Sequence, residues 1–216
     1  MVLSHYFWFF PSAISSLKCD EILEYGKTKE LKMAKTGNQN NDYDVELTDE
    51  QIVNLQKKRK SDIIFLDEQW IYDELQPYVH IANKNAEWNF DWDWSESPQF
   101  TKYSVGQYYG WHCDQFEKTY PNDHQNINLR GKTRKLSVTV SLNDSSEYKG
   151  GEFEFDFRNM DPDLNKGSAS NVQKCLQILP KGSIVVFPSC IWHRVCPVTE
   201  GTRYSLVMWN IGKPFI

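Results

Sequence analysis

The chain carries 216 residues, with 29 acidic against 24 basic side chains and a net charge of −5. Apolar residues make up 40% of it and aromatic residues 14%, bulk enough for a core, which excludes a disordered chain. The acidic balance argues against a nucleic-acid partner.

The opening MVLSHYFWFFPSAISSL is aromatic, has no basic start and is interrupted at Pro11, so it is not expected to be a secretory leader. No apolar run reaches the roughly 18 residues that a spanning helix needs, and no membrane partner is expected. The five cysteines (Cys19, Cys113, Cys175, Cys190, Cys196) are an odd number without a C-x-x-C pair. Free thiols in a reducing cytoplasm are therefore expected. Residues 12–25 place Ile14, Leu17, Ile22 and Tyr25 at helical spacing, with Gly26 as the stop. Residues 36–50 are polar and acidic and read as a loop. The basic run Lys57-Lys-Arg-Lys60 reads as the solvated end of a helix. Residues 63–66 read as a short strand. Residues 70–85 predict a second helix with Ile71, Leu75, Tyr78, Val79 and Ala82 on one face, kinked or ended in part by Pro77. Residues 91–94 alternate like an edge strand.

From residue 98 the texture changes to short β-rich runs at 100–103, 135–142, 151–157, 176–179, 183–187 and 203–209. Alternation is clearest in Leu136-Ser-Val-Thr-Val-Ser-Leu142. Polar inserts at about 115–133 and 158–174 read either as binding loops over a site or as plain surface loops. His124 within the first insert reads as solvated. Lys132, Arg134 and Lys135 lead into a strand and are placed to guide an acidic or backbone-rich substrate. The expected fold is mostly β with flanking helices, as a sandwich or jelly roll. Residues 1–216 are expected to form a single domain, with 1–97 as a helical layer plus supporting strands and 98–216 as the β core.

Among the histidines only His112 sits in an H-x-D string, Trp111-His112-Cys113-Asp114. On a strand, residues two apart project from one face, so His112 and Asp114 can reach one cation together, while Cys113 faces away. A later block, residues 180–210, holds an apolar strand, a turn at Pro188-Ser189, then His193 and, ten residues on, Arg203. Thr199-Glu-Gly201-Thr reads as a hairpin turn. Two imidazoles and one carboxylate make a facial triad whose open positions suit Fe(II) oxygenases. A guanidinium fork fits a carboxylate in two places at once, and Ser205 shares the face of Arg203.

The string Y-x-x-G-Q-x-Y-x-x-H-x-D from Tyr103 to Asp114, the Gly150-Gly151-Glu152 start with Phe153 and Phe155, and the block from Lys181 to Arg203 together resemble the Fe(II)- and 2-oxoglutarate-dependent dioxygenases. Within them the pattern is similar to the prolyl-4-hydroxylase-like branch and its PKHD-type bacterial and viral members. The resemblance covers residues 98–210 well and the first 90 weakly. It implies a double-stranded β-helix (jelly-roll) core, Fe(II) held by His112, Asp114 and His193, and the far carboxylate of 2-oxoglutarate on Arg203 and Tyr103. Ser205 and the inward face of Ser137, Thr139 and Ser141 are implied as helpers, and Tyr109, Trp111 and Trp192 as residues flanking the ligands. It also implies O2 as co-substrate and admits ascorbate as a reductant. Arg203, where many collagen-type relatives carry Lys, points to the bacterial and viral members.

Three functions stay open at this point. The first is hydroxylation of a prolyl residue in a peptide or protein, with release of succinate and CO2. The second is hydroxylation of a free amino acid or small metabolite, and a closed pocket would favour it over an open groove. The third is a cupin-like binding module without oxygen chemistry, which a wide separation of His112 and His193 would favour.

Overall fold

A computed structural model describes residues 3–35, 48–158, 160–164 and 172–215. Two packed antiparallel sheets carry the architecture. The larger has the order β1 (Trp8–Phe10), β12 (Ile184–Pro188), β8 (Thr133–Ser141), β15 (Arg203–Gly212), β6 (Gln99–Tyr103), β4 (Asp62–Phe65) and β2 (Lys32–Met33), with β5 (Trp94–Ser95) also paired to β15. The smaller has the order β11 (Val172–Lys174), β10 (Phe153–Asp156), β13 (Trp192–Val195), β7 (Tyr108–His112) and β3 (Arg59–Lys60). A separate ribbon pairs β14 (Val198–Gly201) with β9 (Tyr148–Gly150), so residues 198–201 form a strand where a turn alone was expected.

The alternation in β8 sorts the two faces of the larger sheet. Leu136, Val138, Val140 and Leu142 point to the helical layer, where they are joined by Ile184, Val186, Leu206 and Met208. Ser137, Thr139 and Ser141 are equally buried but belong to the opposite, polar face. That face meets the smaller sheet through a cluster including Phe153, Phe155, Val185 and Phe187. The Phe155 and Phe187 rings meet edge-on at 5.1 Å, a favourable aromatic contact.

Three helices are described. α1 (Ser16–Lys27) starts at Ser15, whose hydroxyl accepts from the Lys18 N–H. α2 (Asp49–Gln56) opens with a reciprocal Thr48–Gln51 capping box. α3 (Gln69–Asn85) buries Ile71, Leu75, Val79 and Ala82 and stays helical on both sides of Pro77.

Several expectations are corrected. Gly26 lies inside α1 instead of stopping it: a Cβ there would sit 2.6 Å from the buried Phe100 ring, so glycine lets helix and sheet approach closely. Leu17 is 83% exposed, because the buried stripe runs through Cys19, Ile22, Leu23 and Gly26. Residues 176–178 form a 3-10 turn, not a strand, with Leu176 exposed and Ile178 buried. The loop expected at 36–50 ends earlier, at the start of α2, and residues 36–47 lie outside the described residues. So does the middle of the 158–174 insert. The 115–133 insert is anchored by its own small cluster, with Tyr120 and Leu129 against Ile211. No helix among the described residues is long and apolar enough to cross a membrane.

Candidate metal centre and its cavity

β7 and β13 are neighbours, and their register sets His112 opposite His193. β7 ends at His112, so Asp114 stands in the bend beyond it and not on the strand as expected. The bend turns the carboxylate back between the imidazoles. Asp114 Oδ1 lies 3.7 Å from His112 Nε2, and Oδ2 lies 3.5 Å from His193 Nε2. One ligand atom from each residue fits within 4.8 Å of the others, close enough to hold one metal ion.

The tautomers follow from the hydrogen bonds. His112 Nδ1 lies 2.8 Å from the Gly110 carbonyl oxygen, and His193 Nδ1 lies 2.9 Å from that of Ile191. A carbonyl only accepts, so each Nδ1 carries the proton and each Nε2 offers its lone pair to the same point. Burial, then the neighbouring His193, pushes His112 well below its ordinary value and keeps it neutral. Burial alone would raise Asp114, but His193, His112, Arg134 and a hydrogen bond from Ser137 outweigh it and hold the carboxyl below its usual range. A neutral His112 imidazole and an ionised Asp114 carboxylate are the forms that bind a cation.

The triad opens into a cavity between the sheets, and Arg203 of β15 faces into it. Arg203 is 2% exposed. Its Nη1 donates to Ser205 Oγ at 3.3 Å, and the guanidinium carbon sits 5.5 Å from the ring centre of Tyr103, its partner in the β15–β6 register. Among the described residues no carboxylate forms an ion pair with it. Gly150 and Gly151 both take positive φ, and a Cβ on Gly151 would come within 3.1 Å of Arg203 Cδ, so the paired glycines let the chain pass beside this side chain. Tyr109 lies flat on His112, ring centres 3.5 Å apart and 10° from parallel. Burial pushes its hydroxyl up to about 12, so it is a neutral group at the mouth of the cavity.

Two residues that line the cavity, Arg59 and Trp209, were not anticipated from the sequence, and the role expected of Lys132, Arg134 and Lys135 is corrected. Arg59, taken for part of a solvated run, is 4% exposed and lines the cavity, its guanidinium carbon 4.4 Å from the Tyr109 ring centre. The signal was present: Arg59, Ser61 and Ile63 alternate as a buried strand face while Lys58 and Lys60 are exposed. Arg134 cannot guide a substrate as expected, because it forks onto the buried Glu96, with Nε–Oε1 at 2.7 Å and Nη2–Oε2 at 2.6 Å. Lys132 is likewise bound to Asp93, and Lys135 is buried beneath Phe215. Trp209 also lines the cavity, and its indole N–H is buried without a partner.

Outside the cavity an open groove runs over His112, walled by Trp111, Trp192 and Phe116. Cys113 turns its thiol to the Cys190 carbonyl at 3.1 Å and offers nothing to the triad. His124 is half-buried with its ring edge-on to Tyr120, and not fully solvated as expected, and His80 stacks on Trp92.

Residues 98–210 match the family model of the 2OG-Fe(II) oxygenase superfamily. The chain belongs to that superfamily. Fe(II), 2-oxoglutarate and O2 are the reagents of 2OG-Fe(II) oxygenases, and the His112, Asp114 and His193 donor set fits the metal among them. A PKHD-type hydroxylase of Xylella fastidiosa (strain M23) is 32% identical over 114 residues, which are 52% of this chain and 43% of that relative. A PKHD-type hydroxylase of Acidovorax ebreus is 33% identical over 112 residues, 52% of this chain and 41% of the relative. The match spans less than half the length of these curated relatives. The fold of this oxygenase is shared with a prolyl-4-hydroxylase of Pseudomonas putida (TM-score 0.63, 16% identity, 97% of this chain and 94% of that one). It is shared too with a viral collagen prolyl hydroxylase of Paramecium Bursaria Chlorella virus-1 (TM-score 0.61, 18% identity, 96% and 97%). The expected mostly-β, jelly-roll fold with flanking helices is the fold found.

Proposed function

We propose that the chain is a non-haem iron hydroxylase that uses 2-oxoglutarate and acts on a prolyl residue of a peptide or protein. The carrying observation is the buried, carboxylate-free guanidinium of Arg203 facing the His112–Asp114–His193 triad across one cavity. A cation withdrawn from water is costly unless a counter-charge arrives, and a carboxylate of the cosubstrate would supply it at Arg203. In this reading residues 1–216 act as one unit, the N-terminal layer backing the sheet that holds Arg203.

Bound Fe(II), 2-oxoglutarate and O2 supply the oxidising chemistry, with succinate and CO2 released. The chain's own groups do the rest. His112 Nε2, His193 Nε2 and an Asp114 carboxylate oxygen would hold the metal ion. Arg203, aided by Ser205 and the Tyr103 hydroxyl, binds the far carboxylate and fixes the cosubstrate's direction. Tyr109 braces the His112 ring. Phe153, Phe187 and Val195 make the cavity wall apolar and exclude water.

The open groove beside His112 supports a chain-like substrate over a small one, and the PKHD-type hydroxylase and prolyl hydroxylase relatives support proline as its target. One neighbour of the same fold, from Trichoplax adhaerens, is a prolyl hydroxylase in complex with a peptide fragment (TM-score 0.57, 17% identity, 95% of this chain and 84% of that one). A wide separation of His112 and His193 would favour the cupin-like alternative, and the ligand atoms of the triad lie within 4.8 Å of one another. Succinate formation with Fe(II), with and without O2 and with a panel of proline-containing peptides, tests the reading. Oxygen-dependent succinate that rises with a peptide supports it; turnover that only small molecules stimulate would replace the substrate.

A further inference from the structure

The groove over the metal centre has walls of opposite charge. β3 pairs with β7 on one side of His112, with Arg59 opposite Tyr109 and the Gly110 N–H donating to the Lys58 carbonyl at 2.7 Å. This pairing holds Lys57 and Lys58 along one rim, both exposed. Neither forms an ion pair among the described residues; Lys57 Nζ donates only to the neutral Asn54 side chain, at 3.0 Å. By contrast Lys18, Lys27, Lys132, Lys149, Lys174 and Lys181 are each tied to a carboxylate. Beneath the basic rim, Arg59 carries the positive charge inward, 4% exposed, its Nε donating to Ser61 Oγ, and it forms no ion pair among the described residues.

The other rim comes from segments on the far side of β7. Glu117 follows the metal-binding bend, and Asp161 and Asp163 follow β10. Asp161 is near enough to Cys113, and Asp163 to Arg194 of β13, for their charges to act there. Arg194 is paired with Glu154 at 2.7 Å, and Asp161 Oδ1 is engaged by the Asp163 N–H at 2.8 Å, so the acidic wall is carried by Glu117 and Asp163. Two strands of one sheet thus separate a cationic from an anionic wall, with the triad and Trp111 and Trp192 between them.

We propose that this groove selects a prolyl peptide by the order of its charges: an acidic side chain on the β3 side of the target residue and a basic one on the Glu117–Asp163 side. The inference rests on the peptide-hydroxylase reading and sharpens it. Opposite walls give a field along the groove that orients an extended chain before it seats, and the reversed order sets like charges against like. Each surface pair contributes about two- to fivefold, so the correct order should exceed the reversed order by about tenfold in affinity.

The test uses four proline peptides of one backbone, with Glu or Lys three residues to either side of the proline. Binding is read by calorimetry with Mn(II) and 2-oxoglutarate under nitrogen, and hydroxylation by mass spectrometry with Fe(II) in air. One mixed-charge order should bind about tenfold tighter than its reverse, with the difference in KM and not in kcat, and it should shrink at high salt. The K57E/K58E variant, with both walls acidic, should lose the order preference and favour the Lys/Lys peptide, and E117K/D163K, with both walls basic, should lose it and favour the Glu/Glu peptide. Equal binding of all four peptides, with hydroxylation intact, refutes the charge reading and leaves the hydroxylase reading standing. Ordered binding without hydroxylation of any peptide supports the charge reading of the groove and removes the prolyl hydroxylase.

Discussion

Replacing Arg203 with Met separates the cost of a buried charge from its use. The guanidinium is 2% exposed, with one side-chain hydrogen bond of 3.3 Å to Ser205 and no carboxylate partner among the described residues. An apolar side chain of similar length in place of an uncompensated buried charge stabilises by about 1–4 kcal/mol, so the ligand-free R203M protein should melt higher than wild type. At about 3 °C per kcal/mol for a chain of this size, the rise is about 3–12 °C. The ligand response should move the opposite way. Loss of the charge partner of a buried carboxylate costs about 2–5 kcal/mol, or about 30- to 5,000-fold in the Kd for 2-oxoglutarate. Wild type with Mn(II) and 2-oxoglutarate at a hundred times Kd should gain about 2.7 kcal/mol, and R203M at the same concentration less than about 1 kcal/mol. Thermal melts with and without 2-oxoglutarate, together with succinate formation, read both effects. A variant that melts lower than wild type yet binds 2-oxoglutarate unchanged would refute both the unpaired-charge argument and the assignment of Arg203.

Asp114→Asn should weaken Mn(II) binding by more than about 100-fold, since the only anionic ligand is lost while both imidazoles remain; calorimetry on the folded variant checks this, and intact affinity would remove Asp114 from the metal centre. The metal-free protein should lose stability as the pH falls below about 6.5, the ordinary imidazole value. The sign follows from His112, whose folded-state value lies well below 6.5 because of burial and His193, so in that window the unfolded chain binds more protons. Denaturant midpoints at pH 7.5 and 5.5 for wild type and H112Q should show a steeper fall in wild type, and parallel slopes would exclude His112 as the source. Gly26→Ala places a methyl 2.6–2.8 Å from the Phe100 ring atoms, in a buried contact with no room to yield. It should cost about 1–3 kcal/mol, or about 3–9 °C in melting temperature, without altering the 2-oxoglutarate Kd.

What the sequence determined by itself was local. The alternation from Leu136 to Leu142 marks a strand with one apolar and one polar face. The spacing of Ile71, Leu75, Val79 and Ala82 marks α3. The H-x-D string and the later His193 and Arg203 name the groups that meet at the metal centre. Each is a short-range pattern, because periodicity and ligand spacing are written along neighbouring residues. Tertiary structure decided the rest. β1 joins β12 with Trp8 opposite Val186, a pairing set by edge complementarity across most of the chain. Gly26 breaks helices in isolation yet continues α1, because the Phe100 ring needs the space where a Cβ would be. Arg59 and Arg134 look alike in their basic runs and become opposites: Arg134 is neutralised by Glu96, brought in by a distant segment, while Arg59 is buried without an ion pair among the described residues. A charge's role depends on which carboxylate the fold brings within reach, and that is a property of the packed sheets, not of either run.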